Sequence, residues 1–415
     1  MATFSYTVRD GSGQTRTGTS EAENAEVLRR RLQEQGFTVS DISQTAGAKK
    51  RSGGGWGRVK LADLSVFCRQ FSTMIDAGVS LVRSLDVLGE QTQNPKLRRI
   101  ILDIQQEVEA GQTLSKAMTK YPKTFNNLFI GLIRAGEVGG VLEEALQRLS
   151  GFLEKDMELR RKVKAAMTYP VIVIVVAVGI VVGLTTFIVP KFVELFRDLG
   201  VKELPAMTQI LVDFSDFLKN RWWMGLIIIV VSYLALKYFG TTRIGRRVID
   251  RVKLKVPVFG KLHHKIALAR FSRTLGTLLV SGVPILQALE TVAGTVGNGI
   301  IAEAVMQARA RIREGDRIND PLQKSGMFPP MVVHMISIGE ESGALDTMLS
   351  KIAEFYEQEV DATLQSLTSA IEPVLIVLLG FCVGFIVIAM FMPLIQVIQN
   401  LTSGPGDDSM AGASE

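Results

Sequence analysis

Apolar positions in this chain follow two rhythms. At Leu142, Ala145, Leu146, Leu149, Phe152 and Leu153, and again at Leu345, Met348, Leu349, Ile352, Phe355 and Tyr356, they recur three and four residues apart, the spacing of an amphipathic helix that buries one stripe. Elsewhere the charges disappear. VIVIVVAVGIVVGLTTFIVP (171–190) and VLIVLLGFCVGFIVIAMFMPLIQVI (374–398) carry none and supply the roughly 20 apolar residues that a ~30 Å hydrocarbon layer requires. WWMGLIIIVVSYLAL (222–236) is shorter; it spans if Arg221 and Lys237 snorkel, and Trp222, Trp223 and Tyr238 suit the interfacial belt, the alternative being a buried soluble helix. At the N-terminus TFSYTVRDGSGQTRTGTS (3–20) alternates and turns at Asp10-Gly11, which predicts a β-hairpin; a helix over 21–35 and a short strand in FTVSDIS complete the piece.

The helical part is written twice. RAGEVGGVLEEAL, starting at Arg134, returns as SIGEESGALDTML, starting at Ser337, pairing Gly136 with Gly339, Glu137 with Glu340 and Gly140 with Gly343. FCRQFSTMIDAGVSL matches FSRTLGTLLVSGVPIL at Phe67/Phe271, Arg69/Arg273 and Gly78/Gly282. Gly111 pairs with Gly315, Phe125 with Phe328, Pro170 with Pro373 and Pro190 with Pro393. Such a repeat is one supersecondary unit duplicated: a helical bundle followed by a span, with the middle span inserted to bring the second copy back to the same side. Gly78 and Gly282 suit the left-handed residue that ends a helix, and Gly111 and Gly315 look like the same stop. In GE-x-x-G two readings stand side by side, a helix stop or a contact surface centred on Glu137 and Glu340, since a turn needs glycine but not glutamate.

The expected fold is therefore mainly α: a polytopic membrane protein with two repeated cytoplasmic helical bundles, three transmembrane helices and a small N-terminal α+β hairpin domain. Its predicted segments are an α+β domain (1–45), a Gly- and Lys-rich linker (46–60), a first bundle (61–164), a span (165–190), an outer loop (191–221), a second span (222–239), a second bundle (240–372), a third span (373–398) and a disordered outer tail (399–415). Long amphipathic helices are expected to end at Pro170 and Pro373 and to lead straight into the bilayer. Gly179 and Gly183, and Gly380 and Gly384, have the G-x-x-x-G spacing that lets helices approach closely, either span to span or subunit to subunit.

Composition agrees and adds direction. A chain of 415 residues with 47% hydrophobic and 21% charged residues and a mean hydropathy of +0.24 mixes membrane spans with water-facing parts. MATFSYTVRD has no basic segment followed by an apolar core, so no cleavable signal is expected. Lys155, Arg160, Arg161, Lys162 and Lys164 precede the first span, and Arg243, Arg246, Arg247, Arg251, Lys253 and Lys255 follow the second; the positive-inside rule puts those ends, and the N-terminus, in the cytoplasm and the C-terminus outside. A net charge of +6 distributed in this way points to a membrane rather than to nucleic acid.

Catalytic signatures are absent from the sequence: no phosphate loop of G-x-x-x-x-G-K-[ST] form, no H-E-x-x-H, no G-x-S-x-G. Cys68 and Cys382 permit no disulfide framework, and His263, His264 and His334 have no partners at ligand spacing. GPGD (404–407) has the look of an intramembrane aspartyl peptidase motif, but no span carries a second aspartate. No enzyme, cofactor or metal is expected.

Together MATFSYTVRDGSGQTRTG, the paired FCRQFSTMIDAGVSL and FSRTLGTLLVSGVPIL, the paired GEVGG and GEESG, and the AMTYP and AIEPVLIV that open two spans resemble the type II secretion F family, over essentially the whole chain. That resemblance implies a non-enzymatic inner-membrane platform of a type IV pilus machine, or the equivalent platform of a type II secretion system. It also implies self-association as a dimer or higher oligomer, a hexameric assembly or retraction ATPase, pilin or pseudopilin subunits and other inner-membrane components as partners. A transporter or channel subunit is the distant alternative, for which the spans offer only Thr185, Thr186, Ser232 and Gln396 as polar groups.

Overall fold

The computed structural model describes residues 2–9, 15–22, 25–34, 38–44, 58–198, 204–257 and 259–402. The Asp10-Gly11 turn, the linker except for its last three residues, and the tail from Ser403 onward, GPGD included, lie outside the described residues. Two compact units make up the chain, a small N-terminal one and a large one that holds both repeats.

In the small unit, β1 (Ala2–Arg9) pairs antiparallel with β2 (Thr15–Ala22), from Ala2 opposite Ala22 to Arg9 opposite Thr15, and on its other edge with β3 (Thr38–Gln44), in the order β2-β1-β3. Alternating aromatic and β-branched residues favour this pairing. α1 (Ala25–Glu34) begins later than the expected start at Glu21, because Glu21 and Ala22 are held in β2 opposite Thr3 and Ala2.

The large unit repeats helix by helix. The first copy comprises α2 (Leu61–Asp76), α3 (Leu81–Gln91), α4 (Pro95–Glu109), α5 (Leu114–Met118), α6 (Asn127–Gly139) and α7 (Leu142–Gly183); a π turn, Leu184–Ile188, and α8 (Val189–Asp198) extend α7. After α9 (Ala206–Asn220), α10 (Trp222–Thr241) and α11 (Arg243–Lys255), the second copy runs through α12 (Phe259–Val280), α13 (Ile285–Thr295), α14 (Gly299–Arg313), α15 (Asn319–Lys324), α16 (Pro330–Ser342) and α17 (Leu345–Thr402). Helix ends match between copies. At Gly78 (φ 78°) and Gly282 (φ 77°) the following N–H groups, Val79 and Val283, reach back to Met74 O and Leu278 O, a left-handed stop that a Cβ disfavours.

Packing departs from one bundle per copy. Phe67, Phe71, Leu85 and Leu146 of the first repeat and Phe271, Leu275, Leu289 and Leu349 of the second belong to a single buried core, with α6 and α7 packed on α12. One repeat alone would leave that face in water; stacking the two buries it. Equivalent ion pairs tie each first helix to its own long helix, Arg69 to Glu154 at 3.4 Å and Arg273 to Glu357 at 2.9 Å.

Among the described residues three helices are long and apolar enough to cross a membrane, Leu142–Asp198, Trp222–Thr241 and Leu345–Ile395, and their apolar windows bury only 6%, 0% and 11% of their residues inside the chain. Their surfaces are therefore left to lipid or to partners. The expectation that the long helices end at Pro170 and Pro373 is corrected: α7 continues through Pro170, and α17 through both Pro373 and Pro393. Proline removes one N–H and clashes with the carbonyl four residues back, but an apolar surrounding leaves the rest of the backbone no partner other than its own helix. The expected outer loop at 191–221 is largely helical, in α8 and α9, and the last helix runs to Thr402 rather than stopping at 398.

Candidate functional site

Each residue of GE-x-x-G has a separate task. Gly136 and Gly339 sit on α6 and α16, where these helices cross the starts of α7 and α17. A Cβ on Gly136 would lie 2.5 Å from Ala145 Cβ and 3.1 Å from Leu142 Cα; on Gly339 it would lie 2.9 Å from Leu345 Cα. Glu137 turns its carboxylate inward and accepts from the backbone N–H groups of Leu114 (2.5 Å) and Ser115 (3.1 Å) at the start of α5. Glu340 does the same for the N–H of Ile318, ahead of α15, at 3.2 and 3.0 Å. Gly140 and Gly343 end the helices in left-handed conformation, φ 70° and 69°. Both glutamates are half-buried. Their negative charge at a helix start is where the helix dipole and the unpaired N–H groups favour it. The outward residue of the motif is Val138, 86% exposed.

This corner feeds directly into the long helices. Near the membrane α7 and α17 are joined by Lys162 and Asp361 at 2.6 Å and by a cluster of Leu159, Val360, Leu364 and Leu367 with Leu262 of α12. Arg270 of α12 reaches Asp156 on α7 at 3.2 Å. Pro170 is buried and Pro373 exposed. Neither is a break.

At the far ends the two helices meet again, through Val189, Ile386 and Ala389 around Leu211 of α9. Here α9 answers both outer prolines. Val189 N–H bonds Leu184 O, five residues back, so the next carbonyl in that register, Thr185, faces Pro190, which has no N–H. Ser215 donates to Thr185 O at 2.7 Å instead. Ala389 O, four residues before Pro393, receives the hydroxyl of Thr208. Thr208 and Ser215 lie seven residues apart, two turns along one buried face. Thr208→Val and Ser215→Ala are each expected to cost about 1–2 kcal/mol, the order of a lost bond to a carbonyl that has no water to turn to. The double variant should melt lower in detergent than either single one; equal melting would remove α9 from this role.

Gly179, Gly183, Gly380 and Gly384 face open space; nothing lies within 4 Å of a Cβ built on them. Packing of one span on another inside the chain does not use them. Among the described residues no group of three His, Cys, Asp or Glu side chains could hold a metal ion.

Sequence reasoning did not find the internal targets of Glu137 and Glu340, the paired hydroxyls on α9, or Arg270. The first had a signal, since the same Glu recurs at the same distance behind the same short helix in both copies.

Comparison with known proteins follows the same repeat. The family model described as "Type II secretion system (T2SS), protein F" matches residues 67–190 and 271–393, and that of the N-terminal domain of type II secretion system protein F matches residues 1–43. The chain is 45% identical over 412 residues to a type IV pilus assembly protein PilC of Thermus thermophilus, covering 97% of this chain and all of the relative. It is 43% identical to one of Myxococcus xanthus, covering 95% of each. To a type II secretion system protein F of Vibrio cholerae it is 35% identical, over 97% of this chain and all of the relative.

Proposed function

The chain belongs to the type II secretion system F family, and from that premise we propose that it is the inner-membrane assembly platform of a type IV pilus machine, coupling a cytoplasmic hexameric ATPase to insertion or removal of pilin subunits. One observation carries the reading. Each repeat passes its last bundle helix into an apolar span as one unbroken helix, α7 with its extension and α17, and the two are tied together before the apolar stretch and again within its outer half. A displacement of the bundles is thereby delivered to the far side. The platform does no bond chemistry itself; its free energy comes from the ATPase.

Identity to pilus assembly proteins at 45% and 43%, against 35% to a secretion protein, favours the pilus over the equivalent secretion platform. The basic flanks of the spans favour a cytoplasmic N-terminus and an outer C-terminus. Self-association is supported by the G-x-x-x-G faces that nothing in the chain covers. A conduction path is disfavoured by Thr185, whose hydroxyl bonds Val181 O at 2.7 Å and whose carbonyl takes Ser215.

Deleting the gene in its host is expected to remove surface filaments, seen by electron microscopy, and twitching, while secreted protein stays at the parental level. Lost secretion with filaments intact would assign the secretion platform instead, and neither defect would contradict both.

A further inference from the structure

Where the bundles meet the spans, a cavity of about 380 Å³ gathers Arg160 and Lys164 of α7, Lys253 of α11 and His263 and Arg270 of α12. Acidic groups only partly answer them. Asp156 serves both Arg160 (2.8 Å) and Arg270 (3.2 Å), and Asp250 pairs with Lys253 at 3.3 Å while also holding Gly299 N–H. Four permanent cations thus meet two carboxylates, before His263 is counted. Arg270 Nε is buried with no hydrogen-bond partner. Burial holds its guanidinium below the usual arginine range, and Asp156 opposes that only in part.

The cavity has an apolar side as well. Val163, Met167 and Ile266 line it and belong to the cluster joining α7 to α17. Lys164 immediately precedes the uncharged run that enters the membrane. α11, which carries Lys253, leaves the span α10 with Ile244, Val248 and Val252, four residues apart, 75%, 44% and 53% exposed. Basic residues intervene at Arg246, Arg247 and Arg251. A helix of this pattern lies in the headgroup layer with its apolar stripe toward the acyl chains.

We propose that this cavity binds the phosphate of an anionic lipid headgroup, with the acyl chains leaving past Val163 and Met167 along α7. Basic pockets at the ends of membrane helices are suited to such headgroups, and Arg160, Lys164 and Lys253 supply the exposed cations to meet one. Bound there, the lipid would fasten α7, α11 and α12 to one another at the height of the membrane surface. The site goes beyond the platform role and is independent of which machine the chain serves.

The test is native mass spectrometry of the full-length protein in neutral detergent with phosphatidylglycerol, phosphatidylcholine or inorganic phosphate. Phosphatidylglycerol should be retained at the dissociation energies that strip phosphatidylcholine, and inorganic phosphate should not displace it. Lys164→Gln together with Lys253→Gln should weaken retention about tenfold or more, at roughly one order of affinity for two near-surface cations. Lys164→Gln alone, an exposed position, should weaken it by a smaller factor. Lys351→Gln, which faces Glu354 on α17 outside the cavity, should leave it unchanged. Equal retention of phosphatidylcholine, or variants that hold phosphatidylglycerol like the parent, would overturn the proposal; displacement by inorganic phosphate alone would overturn the lipid assignment in favour of a soluble phosphate site.

Discussion

Gly136→Val and Gly339→Val are expected to lower stability by about 3 kcal/mol each, at the upper end of what overpacking costs. At Gly136 the first carbon added would stand 2.5 Å from Ala145 Cβ, and at Gly339 it would stand 2.9 Å from Leu345 Cα. Backbone cannot turn aside as a flexible side chain can, so α6 must move off α7, or α16 off α17. That separation opens the shared core at Leu132, Leu146, Ile336 and Leu349. Alanine should do less harm than valine. By contrast Gly140→Ala, where only the left-handed conformation is at issue, should cost about 1 kcal/mol. Thermal unfolding in detergent orders the three; a valine variant that melts with the parent would mean the helices do not cross as closely as described.

Removing the carboxylate at Glu137 or Glu340 is the second large effect. Glu137→Ala strands two N–H groups at the start of α5 and Glu340→Ala one ahead of α15, and an unsatisfied, part-buried donor costs about 1–3 kcal/mol. Glutamine keeps one acceptor oxygen and loses the charge. Under the capping account Glu137→Gln and Glu340→Gln should recover about half of the lost stability and leave filament assembly in place. Loss of assembly by the glutamine variants at parental melting temperature would return these residues to a contact surface for a partner.

Much of this architecture could be read from the chain. Period three-and-four apolar spacing marked α7 and α17, the uncharged runs marked the spans, and the pairing of Gly78 with Gly282 marked helix stops whose φ values agree within a degree. What escaped depends on contacts far apart in sequence. Glu137 reaches residues 22 and 23 positions earlier, a distance at which no periodicity operates. Thr208 meets Ala389 across 181 residues, and its need arises from a proline on another helix. Pro170 and Pro373 read as helix ends because proline breaks helices in water; within a long helix that continues into an apolar layer the rest of the ladder is retained. The shared core was hidden for a different reason. An amphipathic stripe tells which face is buried, not whether its partner lies in the same repeat.

In the proposed function α7 and α17 act as stiff connections between the bundles and the membrane. Arg161, Ala165 and Thr168 on α7, and Gln365, Ser369 and Ala370 on α17, are exposed at the junction, so they can be changed to glycine without opening the core. Three glycines soften each helix by about 3 kcal/mol relative to three alanines. The decisive measurement is the number of surface filaments per cell for the glycine and the alanine variants at matched amounts of membrane-inserted protein. Filaments near the parental number are expected with alanine and few or none with glycine; equal numbers in both would contradict a stiff connection.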